Sequence, residues 1–397
     1  MKGQKKVIKT KQINYQKLAK KESEEMRMKF KFVGLGAAGN KAVMELVGRG
    51  FNHEDIILVN STDKDFPTEY KGSHKIVLKP DNTGCGKERS IAKEYAIRAI
   101  NAGVFDKLFE EDITNVMLVT SVEGGTGSGS TPIIAEYISE VLGLNVHICA
   151  FIGFEDDPRG LQNTVRFFQE VSGFDADIMS IRNSSFHTTN KFKAEELANM
   201  EFVSRVRVLT GKDMITSSQN IDDTDIFKVV STLGYKTVET IYFDNNLLDV
   251  EQFNKLCKQM IYESKSIKSE NPGMIRLGVI LNIAPDSEDA IDYQFSIIKD
   301  EYGNPYELFF HKQYDGKRQF IRFIASGMKL PIDEVIKIHE RYEESSNNVD
   351  KKKDDFFDKI NKLDISSEDY VFDMGGIKKS KLTKSSFLKG LETTPEE

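Results

Sequence analysis

Two glycine-rich runs in this chain have the composition and the setting to bind phosphate. Gly34-Leu35-Gly36-Ala37-Ala38-Gly39 follows the apolar run Phe30 to Gly34 and leads into a helical pattern from Lys41 to Arg49. In a strand–turn–helix unit, glycine lets the backbone approach a phosphate, and the helix start offers N–H donors and a positive dipole end. Gly36, Ala37 and Ala38 are the candidate contacts there. Gly124-Gly125-Thr126-Gly127-Ser128-Gly129-Ser130 follows a second apolar run, Val116 to Thr120, and precedes a helix with Pro132 in its first turn. Gly124, Gly125 and Gly127 would bring the backbone to the ligand, and the hydroxyls of Thr126 and Ser128 would add donors.

The number of such loops narrows the ligand. A dinucleotide enzyme uses one of them, with an acidic residue about 20 positions on, at the end of the second strand, to hold a ribose. Here that strand, Ile56 to Asn60, ends in Asn60, with Asp63 just beyond, so the dinucleotide reading is strained. Two phosphate-cradling helix starts in one sheet suit a nucleoside triphosphate laid across several strand ends. Thr83-Gly84-Cys85-Gly86-Lys87 looks like a Walker loop, but GxxxxGK requires glycine where Asp81 stands.

Positioning these loops requires a sheet. Strands at 30–34, 56–60, 116–120 and 146–151, alternating with helices such as that from Pro132 to Leu142, predict a parallel α/β sheet covered on both faces. From Ala194 to about Thr216 apolar residues recur at helical spacing, which predicts one long helix. Strand candidates at 275–283 and 320–326 mark a second, smaller α/β domain, and a helix follows from Ile332 to roughly Leu363. The expected fold class is therefore α/β. A basic N-terminal arm covers 1–29 and a Rossmann-like parallel-sheet nucleotide domain 30–190. A central helix with its following loop covers 191–233, the second domain 234–330, a C-terminal helix 331–363 and a tail 364–397.

At the level of motifs the chain resembles the tubulin/FtsZ GTPase superfamily. GGTGSGS is similar to the tubulin signature loop, and VGLGAAGNKAV to the first nucleotide loop of FtsZ. The resemblance implies GTP or GDP as ligand with Mg²⁺, no dedicated protein metal site, and nucleotide contacts from Asn40, Lys41 and Asn60 as well. Phe154-Glu155-Asp156-Asp157-Pro158-Arg159 resembles the segment in which a glutamate and an arginine four residues on contact ribose and nucleotide, which implies those roles for Glu155 and Arg159. Asn199 stands on the long helix where the family reads guanine, and Gly84 and Gly86 fall in the loop near the γ-phosphate. Asn220, Asp222 and Asp225 match the NxDxxD order of the family's catalytic loop, which acts on the nucleotide of the next subunit in a head-to-tail polymer. Such acids can orient a water in line with the γ-phosphate. Lys41 departs from the usual asparagine, and Glu123 stands in the signature loop where glycine is usual.

The charged C-terminal helix and lysine-rich end look most like the phage and plasmid relatives of TubZ or PhuZ type. That implies a GTP-hydrolysing filament for DNA positioning, with an adaptor reached through the terminal tails. An FtsZ-like division protein and a non-polymerising nucleotide-binding scaffold are the alternatives. The net charge of −7 argues against a globally basic nucleic-acid surface, although residues 1–29 are rich in Lys. Cys85, Cys149 and Cys257 lie far apart without a CxxC pair, which fits a reducing cytoplasm, here that of a bacterial host. No apolar run approaches the roughly 20 residues that span a bilayer, so no membrane insertion is expected.

Overall fold

The computed structural model describes residues 29–109, 112–173, 176–213 and 223–347. Ten strands form one sheet in the order β3-β2-β1-β4-β5-β6-β7-β10-β8-β9. In chain order they are β1 (Phe30–Leu35), β2 (Ile56–Asn60), β3 (Lys75–Val77), β4 (Asn115–Ser121), β5 (Asn145–Ile152) and β6 (Asp177–Arg182), then β7 (Gly234–Phe243), β8 (Arg276–Asn282), β9 (Glu307–Gln313) and β10 (Gln319–Met328). Strands from β3 through β7 are parallel, β10 runs antiparallel to both β7 and β8, and β9 is parallel to β8.

The helices are α1 (Gly36–Met44), α2 (Arg89–Asn101), α3 (Thr126–Glu136), α4 (Pro158–Val171), α5 (Lys191–Leu209), α6 (Asp223–Val230), α7 (Val250–Tyr262), α8 (Ser296–Tyr302) and α9 (Ile332–Asn347). Because successive strand residues point to opposite faces, Phe32 and Val33 of β1 enter different cores. One core holds Ala96 of α2, Ile134 of α3, Phe167 of α4, Phe253 of α7 and Ile338 of α9. The other holds Val43 of α1, Phe202 and Val206 of α5 and Val229 of α6. The expectation of a mainly parallel sheet covered on both faces holds.

Several boundaries differ from the sequence expectation for definable reasons. Helix α3 begins inside the glycine run and carries Pro132 in its interior. The carbonyl that a residue at 132 would normally bond, that of Ser128, instead accepts a hydrogen bond from Arg89 Nη2 at 2.8 Å, so the proline leaves no orphan acceptor. Helix α5 starts earlier than expected, at the Asn190 cap whose side chain accepts from the Lys193 N–H, and stops at Thr210. Gly211 then adopts φ +69° and Arg207 Nε binds Asp213 Oδ1 at 2.7 Å, turning the chain away. The helix expected to Leu363 is described through Asn347; the rest of it, the N-terminal arm up to residue 28 and the tail lie outside the described residues. Within the described residues β7 joins the parallel set at Asp177↔Gly234 and Ile178↔Tyr235, so one sheet runs through both expected domains.

At the β5–β6–β7 starts lies a buried polar cluster. His147 Nδ1 is 2.6 Å from Asp177 Oδ2, which also meets Lys236 Nζ at 2.7 Å, and His147 Nε2 is 3.0 Å from Asn115 Oδ1. Burial holds the His147 pKa below its ordinary 6.5, against the opposing pull of Asp177. The unfolded chain therefore binds this proton more readily than the folded one. This contribution to stability is complete above pH 6.5 and is lost as pH falls toward the lowered folded-state value. We expect the wild-type unfolding free energy to drop through that window more steeply than that of His147→Gln, by at most about 1.4 kcal/mol per pH unit for one proton. Equal slopes in urea titrations across pH would refute it.

Candidate nucleotide site

Both glycine loops sit at the carboxyl edge of the sheet, after β1 and β4. Neither α1 nor α3 has a side-chain cap, a feature shared with α2 and α8, whereas α4, α5 and α7 are capped by Asp157, Asn190 and Asp249. The first amides of α1 and α3 are thus left for a ligand. The loops touch: Gly36 has φ +75°, and a Cβ there would lie 3.1 Å from the Gly127 nitrogen. A Cβ on Gly127 would stand 2.1 Å from Thr120 Oγ1 and 2.6 Å from the Leu35 carbonyl, so only glycine fits between these strand ends. Thr126 Oγ1 meets Ser61 Oγ at 2.8 Å, which ties the second loop to the end of β2.

A third wall is the segment from Asn82 to Arg89. Asn82, Gly86 and Lys87 all have positive φ. The segment is pinned from α4, where Asn163 Nδ2 donates to the carbonyls of Lys87 (3.0 Å), Glu123 (3.2 Å) and Gly124 (3.3 Å). Lys87 Nζ binds Asp157 Oδ2 at 2.6 Å, and buried Arg89 spans Ser128 and Glu170. Gly84 has open space around its Cβ position, and Gly86 needs its φ of +57°.

Between the loops and α5 lies a cavity of about 250 Å³, lined among others by Ala37, Ala38, Lys41, Glu123, Gly153 and Asn199. It adjoins a groove of about 580 Å³ that shares Lys41, Glu195 and Asn199 and adds Phe192 and Arg49. Lys41 and Asn199, far apart in sequence, thus meet at this cavity and its groove. Asn60 is buried at the end of β2, its Oδ1 accepting the Ser61 N–H at 2.8 Å.

Four expected contacts are placed otherwise. Ser128 is fully buried, its hydroxyl donating to the Gly124 carbonyl and accepting from Arg89 Nε at 3.2 Å, so it closes the loop on itself. Asn40 is fully buried and both ends of its amide are taken by Val59, donating to its carbonyl at 3.2 Å and accepting its N–H at 3.3 Å, so it braces α1 against β2. Glu155, at φ +58°, turns its carboxylate away from the cavity to Arg182 (2.6 Å) and to Arg341 of α9. Arg159 pairs with Glu88 and with Gln162 Oε1 at 2.9 Å rather than with its i−4 neighbour. The neighbouring acids are also matched, Asp156 by Lys191 and Asp157 by Lys87.

Asn220 and Asp222 lie outside the described residues. Asp225 is in the first turn of α6 and faces Lys228 at 3.8 Å. Its place follows from topology: α6 leads into Gly234, which pairs with Asp177 at the start of β6. That is the amino edge of the sheet, opposite the glycine loops. The 19-residue helix α5 spans the separation, about 28 Å.

Arg89 and Asn163 help to build these walls and are not singled out by motifs, while Glu123 enters only as a departure from the signature loop and Lys87 only as part of the Walker-like run. Lys87 follows the glycines of its own loop and could have been found. Asn163 is one polar residue in an amphipathic helix and carries no local signal.

Residues 29–191, the segment that holds both glycine loops, match the model of the Tubulin/FtsZ family, GTPase domain. Its relatives include the tubulin-like protein TubZ of Clostridium botulinum C phage, 24% identical over 77% of this chain and 80% of the relative. The crystal structure of Clostridium botulinum phage c-st TubZ superposes with a TM-score of 0.63 at 19% identity, covering 81% of this chain and 99% of that one. The GTPγS-bound protofilament of CetZ2 from Haloferax volcanii gives 0.65 at 15% identity, covering 81% and 99%. The chain is thus similar in its nucleotide domain to the tubulin/FtsZ proteins, TubZ and CetZ among them, and shares their fold. Among the described residues no helix is long and apolar enough to cross a membrane.

Proposed function

We propose that this chain binds GTP with Mg²⁺, polymerises head to tail, and hydrolyses GTP at the junction between subunits. The observation that carries this reading is the separation of the two half-sites: the phosphate loops close the carboxyl edge of the sheet, while Asp225 stands at the amino edge. One subunit cannot bring these together, but stacking two along the strand direction can. Mg²⁺ would enter with the triphosphate, held mainly by phosphate oxygens and water, and would neutralise developing charge on the β and γ phosphates. Glycine-loop amides would hold the phosphates in the first subunit, and acids of the second would orient the attacking water. The TubZ-like character supports a filament that positions phage or plasmid DNA in a bacterial cytoplasm, through an adaptor held by the terminal segments.

The test is GTP turnover per subunit against protein concentration, with light scattering in parallel and ATP as control. We expect a concentration threshold shared by turnover and scattering. Turnover per subunit that stays flat across the range would overturn the shared site and leave a non-polymerising nucleotide-binding module.

A further inference from the structure

We propose that Glu123 supplies the carboxylate that holds the sugar hydroxyls of the bound nucleotide, so that a ribonucleotide is preferred over its deoxy forms. The inference rests on the nucleotide reading above and assigns to the signature loop the role that resemblance gave to Glu155. Glu155 is withdrawn from the cavity by Arg182 and Arg341, its side chain being 6% exposed. Glu123 lines the cavity instead.

Its placement is built. The Glu155 N–H donates to Glu123 Oε1 at 3.0 Å, fixing the carboxylate. A Cβ on Gly153 would stand 2.1 Å from Glu123 Oε2, and one on Gly160 3.2 Å from Glu123 Cβ, so two glycines make room for this side chain. The acids that follow in sequence, Glu155, Asp156 and Asp157, each face a cation, whereas among the described residues no ion pair is formed by Glu123.

Position selects the sugar. Glu123 lines the same cavity as Ala37 and Ala38, at the start of the first glycine-loop helix, and Asn199, on α5, so a nucleotide reaching from the phosphate loops to α5 passes its carboxylate. A carboxylate is an acceptor-only group with two oxygens, which matches the paired donors of a vicinal diol. Burial, with further help from Glu155, Asp157 and Asp156 nearby, raises the Glu123 pKa against the pull of the hydrogen bond from the Glu155 N–H. Glu195 also lines the cavity but is exposed at its mouth.

The experiment titrates wild type, Glu123→Gln and Glu155→Gln with GTP, 2′-deoxy-GTP and 3′-deoxy-GTP by calorimetry. Wild type should bind at least one deoxy form roughly tenfold or more weakly, the size of a hydrogen bond to a charged group. Glu123→Gln should lose GTP affinity to a similar extent and treat the three nucleotides alike, while Glu155→Gln keeps the wild-type ratios. Wild type binding all three equally overturns the proposal without any variant, as does a collapse of the ratios in Glu155→Gln but not in Glu123→Gln. Failure of wild type to bind any of the three would instead remove the nucleotide reading on which it rests.

Discussion

Asp225→Ala should bind GTP as wild type does and turn it over at least roughly a hundredfold more slowly, the scale of losing one group that stabilises the transition state. Asp225 lies at the amino edge of the sheet, beyond the length of α5 from the glycine loops, so its loss leaves its own cleft intact. Mixing sharpens the expectation. When the variant is added to a fixed amount of wild type under assembling conditions, each wild-type nucleotide that meets a variant neighbour lacks its acid, and turnover by the wild-type subunits should fall. A site complete within one chain predicts no such poisoning. Turnover that stays at the wild-type level as Asp225→Ala is added would therefore sink the shared site, and a pure Asp225→Ala preparation that hydrolyses normally would remove Asp225 from the chemistry.

What could be read from sequence and what could not divide along physical lines. The parallel strands were legible because each is buried on both faces and reads as an unbroken apolar run, as in Ile56–Asn60 and Val116–Thr120. The glycine loops were legible because positive φ at Gly36 and zero clearance at Gly127 leave no other residue type able to stand there. Strand β6 was overlooked because its run ends in polar Ser180 and Arg182, and β9 because half-buried, alternating residues on an edge give a weak signal. The direction of a side chain was not legible. Glu155 and Arg159 keep the family spacing, yet a cation from β6 and another from α9 capture the first, and Glu88 captures the second. These partners lie far away in sequence, and no local pattern announces them. The same holds for Asn40, whose neighbourhood reads as ligand-binding while its amide is consumed by the backbone of β2.

Arg205→Met should lower stability by about 3–5 kcal/mol, the cost of leaving a buried charge without its partner. Arg205 is 1% exposed on α5 and joins the central helix to the strands on both sides. Its Nε binds Glu201 Oε1 at 2.7 Å, its Nη1 donates to the Ser180 carbonyl at 3.0 Å and to Ser266 Oγ at 2.8 Å, and its Nη2 lies 3.6 Å from Glu239 Oε1. Glu201 is partly exposed and can turn to water, but Glu239 on β7 cannot. Burial already raises the Glu239 pKa, and Arg205 is the largest influence opposing that rise, ahead of the hydrogen bonds from Ser264 and Thr237. Without the guanidinium the folded state tolerates Glu239 best when it is protonated. Because a raised folded-state pKa gives stability that is present at low pH and lost as pH rises, the deficit of the variant should shrink on acidification. Adding Glu239→Leu to Arg205→Met should recover much of the loss, since the stranded charge and not the missing contact dominates. Urea midpoints for the two single variants and the double, measured at neutral and mildly acid pH, check all three statements. Additive losses with no dependence on pH would show that Arg205 acts by packing alone; a positive coupling that weakens with acid would place the joint between α5 and β7 in this buried ion pair.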